Sequence, residues 1–100
     1  MVSLEVVAMS GDGKRLAISA RIEAPQRQDD GSWLCKVAVA PLQQQHLEVR
    51  GVDSFHAMWL SCSLILKLLA HLKSDATELL NPDGSVFPLA AYLAGLDERC

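Results

Sequence analysis

The sequence predicts an α+β fold: an antiparallel β-meander of about four strands, one long helix packed on one face, and a short C-terminal segment of strand and helical turn. Three observations carry that prediction. The first half of the chain alternates apolar and polar residues with the period of two expected of half-buried strands. Three Asp-Gly pairs, Asp12-Gly13, Asp30-Gly31 and Asp83-Gly84, supply turn chemistry, because Gly accepts positive φ and Asp bonds its own loop backbone. From Phe55 onward the period changes, and neither Gly nor Pro interrupts the chain until Pro82.

A chain of 100 residues is the usual size of one domain, so we read one unit. Residues 1–51 hold the strands, 53–75 the long helix and 76–100 the C-terminal segment. Half the residues are hydrophobic and 21% are charged, which is globular rather than disordered composition.

The elements follow in order. Val2 to Met9 forms the first strand. In the second, Leu16, Ile18, Ala20 and Ile22 face one side, with Ala17, Ser19, Arg21 and Glu23 on the other. Pro25 ends it and the polar stretch from Gln26 to Asp30 makes a loop. The third run places Trp33, Cys35, Val37 and Val39 together opposite Lys36, and Pro41 stops it, since proline cannot donate to a ladder. After Gln43-Gln44-Gln45, a short fourth run alternates Leu47 and Val49 with Glu48 and Arg50.

Gly51 permits the turn that follows, and Asp53 is the N-cap of the helix. His56, at the third helical position, can reach back to the cap's backbone N–H, while Val52 can staple onto Ala57. At about 100° per residue, His56, Ser63 and Lys67 form a narrow polar stripe, with Met58, Ile65, Leu69 and Leu72 opposite. Phe55, Trp59, Leu60 and Leu66 fall outside the stripe that one sheet can cover. They require a second cover, either the segment Val86, Phe87, Leu89, Tyr92, Leu93 and Leu96 or another copy of the chain.

Several function classes lose their support at this stage. Nine basic against twelve acidic residues give a net charge of −3, with Lys14-Arg15 the only adjacent basic pair, so neither nucleic acid nor an anionic membrane surface is an expected partner. No signal peptide is expected, because Met1-Val2-Ser3-Leu4-Glu5 has no basic start and an early acid. The apolar run from Met58 to Leu72 is shorter than the roughly 20 residues of a membrane span and contains Lys67 and His71. Cys35, Cys62 and Cys100 make an odd set without a C-x-x-C pair, the pattern of reduced thiols in a cytoplasmic protein.

The residues that carry chemistry elsewhere have structural readings here. Gly11-Asp12-Gly13-Lys14 lacks the spacing of a phosphate loop. Asp29-Asp30-Gly31-Ser32 and Asp83-x-Ser85 lack the ligand count of a calcium loop. His56 and His71 lie over 20 Å apart along one helix and cannot share a metal ion. Trp33, Trp59 and Cys62 read as core, Cys100 as an exposed terminal thiol, and the acidic pairs Asp29-Asp30 and Asp97-Glu98 as solvated. No cofactor or metal is expected.

The stretch Gly51-Val52-Asp53-Ser54-Phe55-His56-Ala57-Met58-Trp59-Leu60, preceded by Ser32-Trp33-Leu34-Cys35-Lys36-Val37, resembles an uncharacterised bacterial family of small single-domain proteins. In that family a strand carrying Trp-x-Cys leads through a Gly-Val-Asp turn into a long hydrophobic helix. The resemblance covers residues 32–73 and implies a fold without an activity. Where the family has Gln at the third helical position this chain has His56, and both serve the cap.

The resulting expectation is a small cytoplasmic protein–protein interaction module, non-enzymatic, that self-associates as a homodimer or binds another protein in the manner of an immunity protein or secretion chaperone. Its expected contact surface is Trp59, Leu60, Ser63 and Lys67, with Gly51, Asp53 and His56 structural. The alternative is a small-ligand binder or enzyme with a pocket between sheet and C-terminal segment, using His46, His56 or Cys35 as the reactive group.

Overall fold

The three Asp-Gly pairs build one five-residue loop three times over. In the computed structural model, which describes residues 2–42, 45–73 and 77–96 with the side chains of 93–96 excepted, the loops are Ser10–Lys14, Gln28–Ser32 and Asn81–Ser85. In each, the first N–H donates to the fifth carbonyl and the Gly N–H to the first carbonyl, at 2.7–3.0 Å. The glycines sit at φ 85°, 89° and 92°, where a Cβ would be strained. Each Asp Oδ1 accepts the backbone N–H two residues on, from Lys14 at 3.1 Å, Ser32 at 2.9 Å and Ser85 at 2.9 Å.

Those bonds favour the ionised carboxylate. Asp12, Asp30 and Asp83 are all held below their ordinary value of 3.8, first by a serine hydroxyl (Ser10, Ser32 and Ser85 respectively) and then by the loop backbone. A depressed folded value stabilises the fold above pH 3.8, and the contribution is lost as pH falls through the folded value. The thermal midpoint should therefore drop on acidification below about pH 4, and Asp→Asn at all three positions should flatten that drop. Equal acid slopes in both proteins would show that the loops do not contribute to it.

The strands are β1 (Val2–Met9), β2 (Arg15–Ile22), β3 (Gln26–Arg27), β4 (Trp33–Ala40), β5 (Leu47–Gly51) and β6 (Glu78–Leu80), and the helices are α1 (Ser54–Lys73) and α2 (Leu89–Leu96). β1, β2, β4 and β5 form the expected antiparallel meander. Two short strands extend it. β3 pairs with the same edge of β4 as β2 does, and it continues β2 beyond a bulge: between Ile22 opposite Val37 and Gln26 opposite Leu34, three residues face two. Pro25 sits in that bulge, where its missing donor is tolerated. β6 adds to the outer edge of β1 through Val7–Leu80, Ala8–Leu79 and Met9–Glu78. The strand predicted near Val86 is thus displaced to Glu78–Leu80, and Val86 contributes a single bridge back to Leu80.

The apolar face of the sheet is set by register. Val6, Ile18, Ala20, Ile22, Cys35, Val37 and Val39 are buried on one side, whereas Leu16 at the hairpin end is largely exposed. α1 crosses this face diagonally, from Gly51 at one edge to β6 at the other, and buries Ala57, Ile65, Leu66 and Leu69 against it. At 20 residues α1 is longer than the apolar run alone indicated, and by length and composition it is apolar enough to cross a membrane. About one third of that apolar window is buried, on the face that packs on the sheet. The end of the predicted 53–75 span, like Cys100 and the Asp97-Glu98 pair, lies outside the described residues.

The start of α1 is fixed by two reciprocal bonds. The His56 N–H donates to Asp53 Oδ1 at 2.7 Å, and the Val52 N–H donates to His56 Nδ1 at 3.0 Å. The imidazole therefore reaches one residue further back than expected, and its Nδ1 must be the unprotonated nitrogen. Val52 does not staple onto Ala57. Its side chain is 76% exposed, because the space above Ala57 is taken by the backbone of Gly51.

Candidate functional site

The diagonal path of α1 leaves a wedge of the apolar face uncovered beside the first half of β1. The chain turns back over it at its C-terminus. Phe87, whose N–H donates to the Leu79 carbonyl at 3.0 Å, is buried, and Leu89 beside it is also buried. α2 follows, and Tyr92 stacks on Phe87 with ring centroids 4.9 Å apart and planes 15° from parallel. The roof is incomplete. A cavity of about 200 Å³ remains, lined by Val2, Ser3 and Leu4 of β1, Ala20 and Ile22 of β2, Cys62, Ile65 and Leu66 of α1, and Tyr92.

The lining is apolar except for Ser3, Cys62 and the phenol of Tyr92, so the cavity has little to hold water and favours a hydrocarbon occupant. Ser3 belongs by alternation to the opposite face of the sheet, so it meets the cavity with its backbone, which also forms the outer edge of β1. That edge is open. β6 bonds β1 only through Val7, Ala8 and Met9, so among the described residues Val2–Val6 have a ladder partner on the β2 side alone.

The rim continues along α1. Phe55, Trp59, Cys62 and Leu66 follow at spacings of four, three and four residues, which places them on one stripe of the helix. α2 and the sheet cover the second half of this stripe and leave the first half bare. Phe55 is 78% and Trp59 44% exposed. Trp59 is therefore a surface residue, contrary to the core reading, while Trp33 is half-buried against the core.

The expected contact set divides on inspection. Trp59 and Lys67 are exposed and Leu60 is half-buried, but Ser63 is only 4% exposed and contributes almost no surface. Helical spacing places Ser63 on the polar stripe, and spacing does not register how neighbouring side chains shade a small residue. Lys67 and Leu60 also lie about 120–140° round the helix from Phe55, away from the cavity. The sequence marks Phe55 as outside the stripe that the sheet covers, and the structure leaves it exposed.

The alternative set of reactive groups is not gathered at the cavity. Cys35 is fully buried in the core, His46 is exposed before β5 on the far side of the sheet from β1, and His56 Nδ1 is engaged in the cap. The thiol that does line the cavity is Cys62, and burial pushes it up from its ordinary range, with Cys35 nearby adding to the effect. A thiol held protonated is a poor nucleophile. Among the described residues no cluster of His, Cys, Asp or Glu has the makings of a metal site.

Comparison with known proteins yields one match. The model of a family described as a domain of unknown function (DUF6968) matches residues 6–87, which spans the chain from the middle of β1 to Phe87. The part of the rim formed by Val2, Ser3, Leu4 and Tyr92 lies outside the matched span. Neither a curated protein nor a solved structure matches the chain.

Proposed function

The chain belongs to the DUF6968 family of domains of unknown function, and from that premise we propose that it is a small non-enzymatic protein–protein interaction module, cytoplasmic and of the immunity-protein or chaperone kind. The observation that carries this reading is the bare first half of the α1 stripe. Phe55 and Trp59 stand exposed one turn apart on α1, on the stripe that continues to Cys62 and Leu66 in the cavity lining. Scattered apolar residues on a surface need no explanation, but two aromatic rings on one helical stripe that leads to a cavity form the kind of anchor that interfaces use. The Cys62, His46 and Cys35 environments give catalysis no comparable support.

The test is a comparison of affinity captures from native lysate. The wild-type chain should recover a stoichiometric protein partner, and Trp59→Glu or Phe55→Glu should reduce its recovery at least tenfold, as expected when a central anchor is lost. Both substitutions lie on exposed positions, so circular dichroism and the thermal midpoint should stay near wild type. Equal recovery by wild type and both folded variants would eliminate the α1 flank as the binding surface.

A second reading rests on the cavity alone, as a pocket for a small apolar ligand. Its volume of about 200 Å³ would accept a ring or a short aliphatic chain. A protected thermal midpoint in the presence of such a compound would favour it.

A further inference from the structure

The cavity and the open edge of β1 are the same place in the fold. Strand β6 stops pairing at Val7, and the chain leaves the sheet through the loop Asn81–Ser85. Below that point β1 continues for five residues, Val2–Val6, with no ladder on its outer side among the described residues. Soluble proteins usually blunt such edges, yet here the bare edge borders an apolar hollow instead of a charged surface. Cys62, Ile65 and Leu66 of α1 wall the hollow on one side, and Val2, Ser3 and Leu4 of β1 line it on the other.

We propose that this groove binds an extended peptide segment of a partner protein, which adds to the sheet beside Val2–Val6 in line with β6 and places one apolar side chain in the cavity. This inference rests on the protein-interaction reading and specifies the chemistry of the partner. Main-chain hydrogen bonds to the free edge supply affinity without sequence preference, and the cavity reads one side chain in the alternation. The cavity volume of about 200 Å³ suits a branched aliphatic or a phenyl group, and no charged group in its lining would pair with an ionised one. Trp59 lies three residues before the cavity-lining Cys62 on the same stripe of α1.

The edge and the cavity can be tested together. A displayed library of random peptides, selected on the immobilised full chain, should enrich sequences in which apolar residues alternate with polar ones. Backbone hydrogen exchange with a selected peptide should slow by at least tenfold at those alternate N–H groups of Val2–Val6 that point away from β2, while Val7–Met9, paired on both sides, should change little. Cys62→Trp, which fills the cavity from α1, should weaken binding of the selected peptide at least tenfold. The exchange measurement needs no variant and decides the matter if the tryptophan disturbs folding.

Three results would overturn the proposal. Selection could yield nothing, or only sequences with helical spacing; protection could fall on α1 rather than on β1; or Val2–Val6 could prove protected in the free protein with a doubled mass, which would make a second copy the occupant. Any of these, alongside a lysate partner that still depends on Trp59, would leave the interaction reading standing and remove strand addition from it.

Discussion

Gly51→Ala should destabilise the protein by about 3 kcal/mol or more, at the upper end of what overpacking does. A Cβ built on Gly51 would lie 2.4 Å from the Ala57 nitrogen, 2.8 Å from its Cα and 2.9 Å from the His56 carbonyl carbon. All three atoms belong to the backbone of the first turn of α1, so no side-chain rotation relieves the clash. The helix start would have to move, and with it the Ala57 N–H bond to the Asp53 carbonyl at 3.0 Å and the bonds that cap α1 through His56. Gly51 does not hold positive φ, unlike Gly13, Gly31 and Gly84, so its requirement is close approach of helix to strand and not a turn conformation. Gly13→Ala makes the contrast. Its Cβ would meet nothing within 4 Å, and only the backbone strain, about 1–2 kcal/mol, should be lost. For a chain of this size the Gly51 variant should melt roughly 12–24 °C lower. A midpoint at Gly51→Ala no lower than that of Gly13→Ala would mean that α1 can lift off β5 without penalty.

How far the fold was legible follows from which features are local. The hairpins were readable because each Asp-Gly pair carries its loop geometry in its own five residues, and the helix start was readable because Asp53 and His56 cap within one turn. Burial on β2 and β4 was readable from alternation, down to Cys35 and Val39. What was misplaced depends on partners distant in sequence. β6 is three residues long, pairs with β1 some seventy positions away, and has an unremarkable Glu-Leu-Leu sequence. Leu34 and Leu80 are buried on the face opposite α1, outside the core cluster, and strand period alone does not mark them. Sequence spacing allows Val52 to staple onto Ala57, but the Gly51 backbone lies against Ala57 and Val52 stays exposed.

The candidate site was less legible than the fold. The surplus of apolar residues on α1 was evident from composition, and a pocket between sheet and C-terminal segment was anticipated in outline. Its lining was not. Val2, Ala20, Leu66 and Tyr92 come together only because α1 crosses the sheet diagonally and because β6 ends at Val7, and neither fact has a signature within any short window. The same diagonal leaves Phe55 and Trp59 bare while it buries Leu66 on the same stripe. Periodicity finds the stripe, and only the crossing angle divides it into covered and uncovered halves.

Phe87→Ala tests whether the C-terminal return is part of the core or an appendage to it. Phe87 is 2% exposed, packs in the same cluster as Val6, Ile18 and Leu69, and bonds through its N–H to Leu79 of β6. Truncation of a buried Phe costs about 3–5 kcal/mol, through lost transfer free energy and the cavity left behind. It also removes the ring on which Tyr92 stacks, so α2 loses its seat and the roof over the cavity loosens. Two separable results should follow. Denaturant unfolding should show the full loss with an unchanged slope, because one cooperative unit is being destabilised. Hydrogen exchange should quicken most in α2, the element whose packing runs through Phe87 and Leu89. Val86→Ala, one residue earlier and 71% exposed, should change stability by no more than about 0.5 kcal/mol. If the two variants were equally mild, the hairpin and α2 would have to be detachable from the sheet, and the cavity they roof would then be an open groove along β1. A large loss at Phe87 alone instead makes the roof a fixed wall of the core, so that access to the cavity would lie on the side of Val2, Ser3 and Leu4, which among the described residues carry no outer ladder partner.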